Sequence, residues 1–293
     1  MLSKIRYALA SVLLLASLDT LAAPRLTHAD FSQSIATLEE NNGGRLGVSA
    51  FNVENGEQLR FRGNERFAMA STFKLLLVAA VLHRVDAGAE TLDRSVTYSA
   101  ADIESYAPIT SQHLKNGHMS ISELCAAALQ YSDNTAANLL LKTMGGPEGL
   151  TRYIRTLGDK TTRLDRNEPS LNTNIAGDLR DTTTPIAMLN TMRTLLVGNA
   201  LSINSKKQLA EWLIGNTTGD AKLRAGFNST WKVGDKTGSG ANGASNDVAI
   251  VWPDNNLPFL VTVYYTSSTI SPEQQSKVIA DVGRIVGRAF DKY

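Results

Sequence analysis

Ser71 and Lys74 stand three residues apart at the head of "ASTFKLLLVAAVL". Phe73, Leu75, Leu76, Leu77, Val78, Val81 and Leu82 make that segment apolar on nearly every face, which predicts a buried helix. A lysine in the first turn of such a helix is costly unless it is paired or used. Residues three apart share a helical face, so Lys74 points where Ser71 points. A hydroxyl and an amine held together away from water can form an activated nucleophile. Alone, S-x-x-K also fits an ordinary helix start, with Ser71 as cap and Lys74 reaching to solvent.

Three further stretches carry usable chemistry. "YSDNTAAN" sets Ser132, Asp133 and Asn134 in a polar break between two apolar helical segments, where a capping turn is the plainer reading. "VGDKTGSGANGASNDV" puts Lys236 and Thr237 on a strand that runs into glycines. Glu168, followed by Pro169, lies in a segment without period and fits any surface carboxylate. "GSGANG", residues 238–243, matches G-x-G-x-x-G, but a strand follows rather than a helix, so a dinucleotide site is rejected.

The elements that must position these residues read as α/β of the α+β type. "DFSQSIATLEENNGG" predicts a helix stopped by Gly43-Gly44, and "RLGVSAFNV" and "EQLRFRG" predict strands around "ENGE". "TWKVGDKTGSG", "NDVAIVWP" and "PFLVTVYYTSS" add three strands, with hairpin-length connections that imply an antiparallel sheet. "SPEQQSKVIADVGRIVGRAF" closes the chain as a helix capped by Ser271. Between them the chain is helical, with a capping box at Ser120 and Glu123. A five-stranded sheet domain from residues 24–69 and 214–293 is therefore expected to flank an all-helical domain, 70–213. A cleft is expected at their seam. The loop 163–181 is long for a structureless segment, and Leu164, Leu171, Ile175 and Leu179 anchor it as an ordered Ω-loop.

Composition narrows the class. The 293 residues are 43% hydrophobic and 19% charged, with formal net charge +1 and pI about 7.8. No basic stripe or like-charge block points to nucleic acid. Residues 1–23 have the charged, apolar and small-residue regions of a secretory signal peptide, with the cut after Ala22 favoured over Ala23. The mature chain is expected to be exported, free of the membrane, and monomeric. Cys125 is the only cysteine, so no intrachain disulfide forms. His28, His83, His113 and His118 form no metal-ligand pattern, and no metal or cofactor is expected.

S-x-x-K, S-D-N and K-T-G in this order form the set shared by class A β-lactamases and penicillin-binding proteins. The mature chain closely resembles the class A serine β-lactamases, in "MASTFKLLLVAAVL", "ELCAAALQYSDNTAANLLL", "RLDRNEPSLN" and "DKTGSG". The resemblance implies a β-lactamase/transpeptidase-like fold and a periplasmic enzyme that hydrolyses penicillins and cephalosporins and confers resistance. It makes Ser71 the acylated nucleophile and Lys74 its proton acceptor and charge partner, with Glu168 the disputed alternative base. It assigns the oxyanion hole to the backbone N–H groups of Ser71 and Ser239. Ser132 relays a proton to the leaving nitrogen. Lys236, Thr237 and Ser239 hold the substrate carboxylate, Asn134 bonds the acylamide, and Tyr106 walls the cleft. Glu168 and Asn172 hold the hydrolytic water, and Arg166 pairs with Asp181 across the neck of the Ω-loop.

Some family features are missing. Val78 stands where many members pair a cysteine with the one at Cys125, and Ala70 and Gly240 stand where carbapenem-hydrolysing members are often bridged. The family's second carboxylate-binding cation has no arginine at Gly243 or Ser245. Other members draw it from the segment before the K-T-G strand, where the resemblance puts Lys222 in "NTTGDAKLRAG", with Arg224 two further on, and Lys222 is expected to supply it. Two rivals share the nucleophile motifs. A D-alanyl-D-alanine peptidase lacks the deacylating glutamate loop that "RNEPSLN" resembles, and a β-lactam sensor domain is usually tethered to a membrane segment.

Overall fold

The computed structural model describes residues 27–254 and 256–291. The expected signal peptide, residues 1–23, lies outside them. Helix α1 (His28–Asn42) starts at Thr27, whose side chain forms a capping box with Asp30. Strands β1 (Arg45–Asn52) and β2 (Gln58–Phe61) follow as a hairpin. Strand β3 (Phe67–Ala68) and a 3-10 turn, Ala70–Thr72, then lead into α2 (Phe73–Asp86).

The middle of the chain continues with β4 (Ser95–Thr97), α3 (Thr110–His113), β5 (His118–Ser120), α4 (Ile121–Gln130), α5 (Asn134–Thr143) and α6 (Gly146–Thr156). The Ω-loop, with a 3-10 turn at Ser170–Asn172, runs to β6 (Thr182–Thr183), α7 (Pro185–Leu196) and α8 (Ile203–Ile214). After α9 (Leu223–Gly226), strands β7 (Lys232–Gly240), β8 (Ala244–Trp252) and β9 (Phe259–Thr266) complete the sheet, and α10 (Pro272–Phe290) closes the chain.

The five-stranded sheet is antiparallel throughout, in the order β2-β1-β9-β8-β7. All eight residues of β9 are buried, because α10 covers one face and α7 the other. A strand covered on both faces reads as a continuous apolar run rather than an alternation, as "FLVTVYY" does. Phe31, Ile35, Val278 and Val282 join Val48 and Val261 in the core on the α1/α10 side. The second core surrounds α2, where every residue from Phe73 to Leu82 is buried.

The helical stretch is not purely helical. β4 pairs with β5, and β3 pairs with β6, in ribbons of three and two residue pairs. Ribbons this short carry no alternation for a sequence pattern to reveal. The β3–β6 ribbon joins the segment that leads to Ser71 to the end of the Ω-loop, with Ala68 opposite Thr182.

Candidate active site

The turn that carries Ser71 is held from several sides. Ala70 sits at φ 43°, a left-handed conformation that costs a residue with a Cβ free energy and persists only where neighbours impose it. Those neighbours are identifiable. Met69 N–H donates to Asp181 O (2.9 Å), and Asn246 Nδ2 donates to Ala68 O (3.0 Å) and Met69 O (3.1 Å). Thr72 Oγ1 donates to Met69 O (2.8 Å). The Ω-loop neck, the sheet and the turn itself thus fix the start of α2.

Lys74 lies fully buried beneath Ser71. Its Nζ donates to Ser71 Oγ (3.0 Å), Ser132 O (2.7 Å) and Asn134 Oδ1 (2.7 Å), and lies 3.0 Å from Glu168 Oε1. Burial pushes its pKa below the usual lysine range, against the opposing pull of Glu168. Ser71 Oγ donates to Glu168 Oε1 at 3.1 Å. Asn172 Nδ2 donates to Glu168 Oε2 at 2.5 Å, while Asn172 Oδ1 is buried with no hydrogen-bond partner among the described residues.

Ser132 also holds a left-handed conformation, at φ 58°, between α4 and α5. Asp133 makes this possible. Its buried carboxylate caps α5 at Ala136 N–H (2.9 Å) and accepts from Ile109 N–H, Thr110 N–H and Thr110 Oγ1. On β7, Lys236 Nζ donates to Ser132 Oγ (3.1 Å) and Thr237 O (2.9 Å). Burial, aided by the charge of Lys74, lowers the Lys236 pKa to about 7. Gly238 lets β7 lie this close to the turn that carries Ser71, since a Cβ there would stand 2.7 Å from Met69 O.

Ser71, Ser132, Asn134, Asn172, Thr237 and Ser239 line a cavity of about 380 Å³, with Tyr106 half-exposed at its wall and Lys222 at its floor. Lys74, Glu168 and Lys236 are buried and meet that lining through their contacts with Ser71, Ser132, Asn172 and Thr237. Every site residue expected from the sequence therefore converges on one cleft. Lys222 is buried rather than solvated, and donates to Asn246 O at 3.2 Å. Burial lowers its pKa, opposed by Asp247 and Asp235. Burial in turn raises the Asp247 carboxyl well above its usual range.

Two residues of the site escaped the sequence analysis. Thr218 lines the cleft, its hydroxyl 2.5 Å from Thr237 Oγ1. Asn138 Oδ1 accepts from Glu168 N–H and Asn138 Nδ2 donates to Glu168 O, both at 3.0 Å. The available signal was an asparagine one helical turn after Asn134 in an otherwise apolar segment.

Known proteins show the same combination. Residues 30–290 match the Beta-lactamase enzyme family. Beta-lactamase Toho-1 of Escherichia coli is 44% identical over 293 residues, covering 99% of this chain and all of the relative. A beta-lactamase of Proteus vulgaris is 46% identical over 264 residues, covering 90% of this chain and 97% of its own. Among solved structures, the class A beta-lactamase of the last common ancestor of Gram-negative bacteria superposes with a TM-score of 0.88 at 54% identity, covering 89% of this chain and 99% of the other.

Proposed function

This chain belongs to the class A β-lactamases, and on that premise we propose how its residues divide the hydrolysis of a β-lactam amide. Ser71 Oγ attacks the lactam carbonyl. Its proton passes to the Lys74–Glu168 pair, which acts as one unit, since Lys74 Nζ and Glu168 Oε1 lie 3.0 Å apart and both touch Ser71 Oγ. The Ser71 and Ser239 backbone N–H groups stabilise the oxyanion. Ser132 Oγ hands a proton to the departing ring nitrogen, supplied by Lys236 or Lys74, whose ammonium groups stand 3.1 and 3.5 Å away.

The substrate carboxylate rests on Lys236, Thr237 and Ser239. Lys222 adds the second positive charge, as a compact ammonium rather than a guanidinium fork; its place in the lining of the same cavity as Thr237 supports this. Asn134 bonds the acylamide and Tyr106 packs against it. Deacylation falls to a water held by Glu168 and Asn172, and the unpartnered Asn172 Oδ1 supports this role. Penicillins and cephalosporins are the substrates. Residues 1–23 direct export to the periplasm of a Gram-negative cell, and N-terminal sequencing of exported protein should begin just after Ala22 or Ala23.

The observation that carries the reading is the shared contact of Lys74 and Glu168 on Ser71 Oγ. A transpeptidase has no need of a carboxylate there. Glu168→Gln should still acylate, with Lys74 left on Ser71 Oγ to take its proton, but stall, because the hydrolytic water loses its base. Mass spectrometry after mixing with a penicillin should find a persistent adduct on Ser71. Turnover at the wild-type rate would remove Glu168 from the mechanism.

A further inference from the structure

Glu168 depends on Asn138 for its place. The two ends of one side-chain amide grip the two backbone groups of residue 168. This grip works in only one orientation. With the amide reversed, its oxygen would face Glu168 O and its NH2 would face Glu168 N–H, acceptor against acceptor and donor against donor. The second N–H of the amide therefore matters, and it goes to Glu104 Oε1 at 3.0 Å.

Glu104 itself is anchored. Its backbone N–H donates to Thr135 Oγ1 (2.7 Å), and Thr135 Oγ1 donates to Asp102 O (3.2 Å). Thr135 and Asn138 are three apart on α5 and share a face, so the segment carrying Glu104 is fastened to that face at two points a turn apart. An ionised carboxylate only accepts hydrogen bonds. At Glu104 it selects the amide orientation that grips residue 168 and penalises the reverse.

We propose that Glu104 is a positioning residue for deacylation, acting through the Asn138 amide to hold the Glu168 backbone where its carboxylate can serve the hydrolytic water. The inference rests on the role given above to Glu168. Glu104 is not in the lining of the cavity that holds Ser71, and a half-buried carboxylate beside an open cavity lined by Asp102, Lys142 and Asn167 would otherwise pass for a surface charge.

In a two-step acyl-enzyme scheme, kcat/KM reports acylation alone, whereas slowing deacylation lowers kcat and KM together. Glu104→Ala should therefore lower kcat and KM for a penicillin by about tenfold each and change kcat/KM much less, because Lys74 still touches Ser71 Oγ and can take its proton, whereas loose placement of the one base for the hydrolytic water is felt on this scale. The acyl-enzyme should build up in the steady state by mass spectrometry. Glu104→Gln, which keeps an acceptor in reach, should restore most of the rate. Glu104→Lys, which offers only donors, should not, and it serves as the second test if the alanine variant folds poorly. An unchanged kcat in both the Ala and Lys variants would overturn the proposal, as would a fall in kcat/KM equal to that in kcat. Glu168→Gln in the same assay separates the two claims. If it stalls while Glu104→Ala does not, only the Glu104 inference fails; if it does not stall, the underlying role of Glu168 fails.

Discussion

Lys74, Lys236 and Lys222 are three buried lysines serving one cleft, each with its pKa lowered chiefly by burial. For Lys236 the value reaches about 7, against about 10.4 in an unfolded chain. Between those values the unfolded chain binds more protons, so this group's contribution to stability grows with pH there and is lost as pH falls through about 7. Activity runs the other way. In the proposed mechanism the substrate carboxylate needs the Lys236 ammonium, whose population in the free enzyme declines as pH rises through about 7. The alkaline limb of kcat/KM should begin there, and that of kcat should lie higher, because a bound carboxylate favours the charged form. Lys236→Arg, with a charge that persists throughout, should move the limb upward. Lys222→Ala should raise KM with a smaller effect on kcat, its contact being equal in ground and transition states. Measured pH profiles and steady-state constants check both, and a limb unmoved in Lys236→Arg would assign it to another group, Lys74 first.

At the scale of elements, what could be read in advance was whatever carries a period, a cap or a motif. The α2 segment announced its burial through its apolar run, and the capping box at Ser120 and the cap at Ser271 form as their sequences imply. The Ω-loop stood out because it lacked a period; Leu164 and Leu171 are buried as its anchors, but Ile175 and Leu179, expected to anchor it too, are exposed. The Arg166–Asp181 contact is present at 2.6 Å. What stayed hidden is how thoroughly Asp181 is used. Its Oδ1 also accepts from Asp165 N–H (2.7 Å) and Arg166 N–H (2.9 Å), and its carbonyl accepts from Met69 N–H. One buried aspartate thus ties the neck of the loop that carries Glu168 to the turn that carries Ser71. Such links join separate elements through single polar atoms, from 15 positions apart for Arg166 and Asp181 to more than a hundred for Met69 and Asp181, and local pattern has no access to them. Asn138 and Glu104 were missed for the same reason: each looks like a solvated polar residue until its partner across the fold is known.

Across the whole molecule, the chain leaves the sheet after β2 and returns to it with β7, so the last-built edge of the sheet closes against the first turn of the helical region. Gly238 sits at that contact. A Cβ there would meet Met69 O at 2.7 Å and Thr72 Cγ2 at 3.2 Å. Met69 O cannot yield freely, because it already accepts from Asn246 Nδ2 and Thr72 Oγ1. In Gly238→Ala the edge strand must therefore retreat, and it takes Lys236 and Thr237 away from Ser132. Overpacking of this kind costs about 1–3 kcal/mol, or a fall in Tm of roughly 2–10 °C in a chain of this size. Because the strain falls on the seam, kcat/KM for a penicillin should drop by at least about tenfold. Gly287 in α10, on the far side of the sheet, is the matched control. A Cβ there meets nothing closer than 3.5 Å, on the Phe227 ring, so Gly287→Ala should hold or raise Tm through helix propensity and leave turnover unchanged. Thermal melts and steady-state rates on the two variants separate a seam that must stay closed from a sheet that tolerates small additions anywhere. Wild-type Tm and rate in Gly238→Ala would mean that β7 can slide along the nucleophile turn without cost.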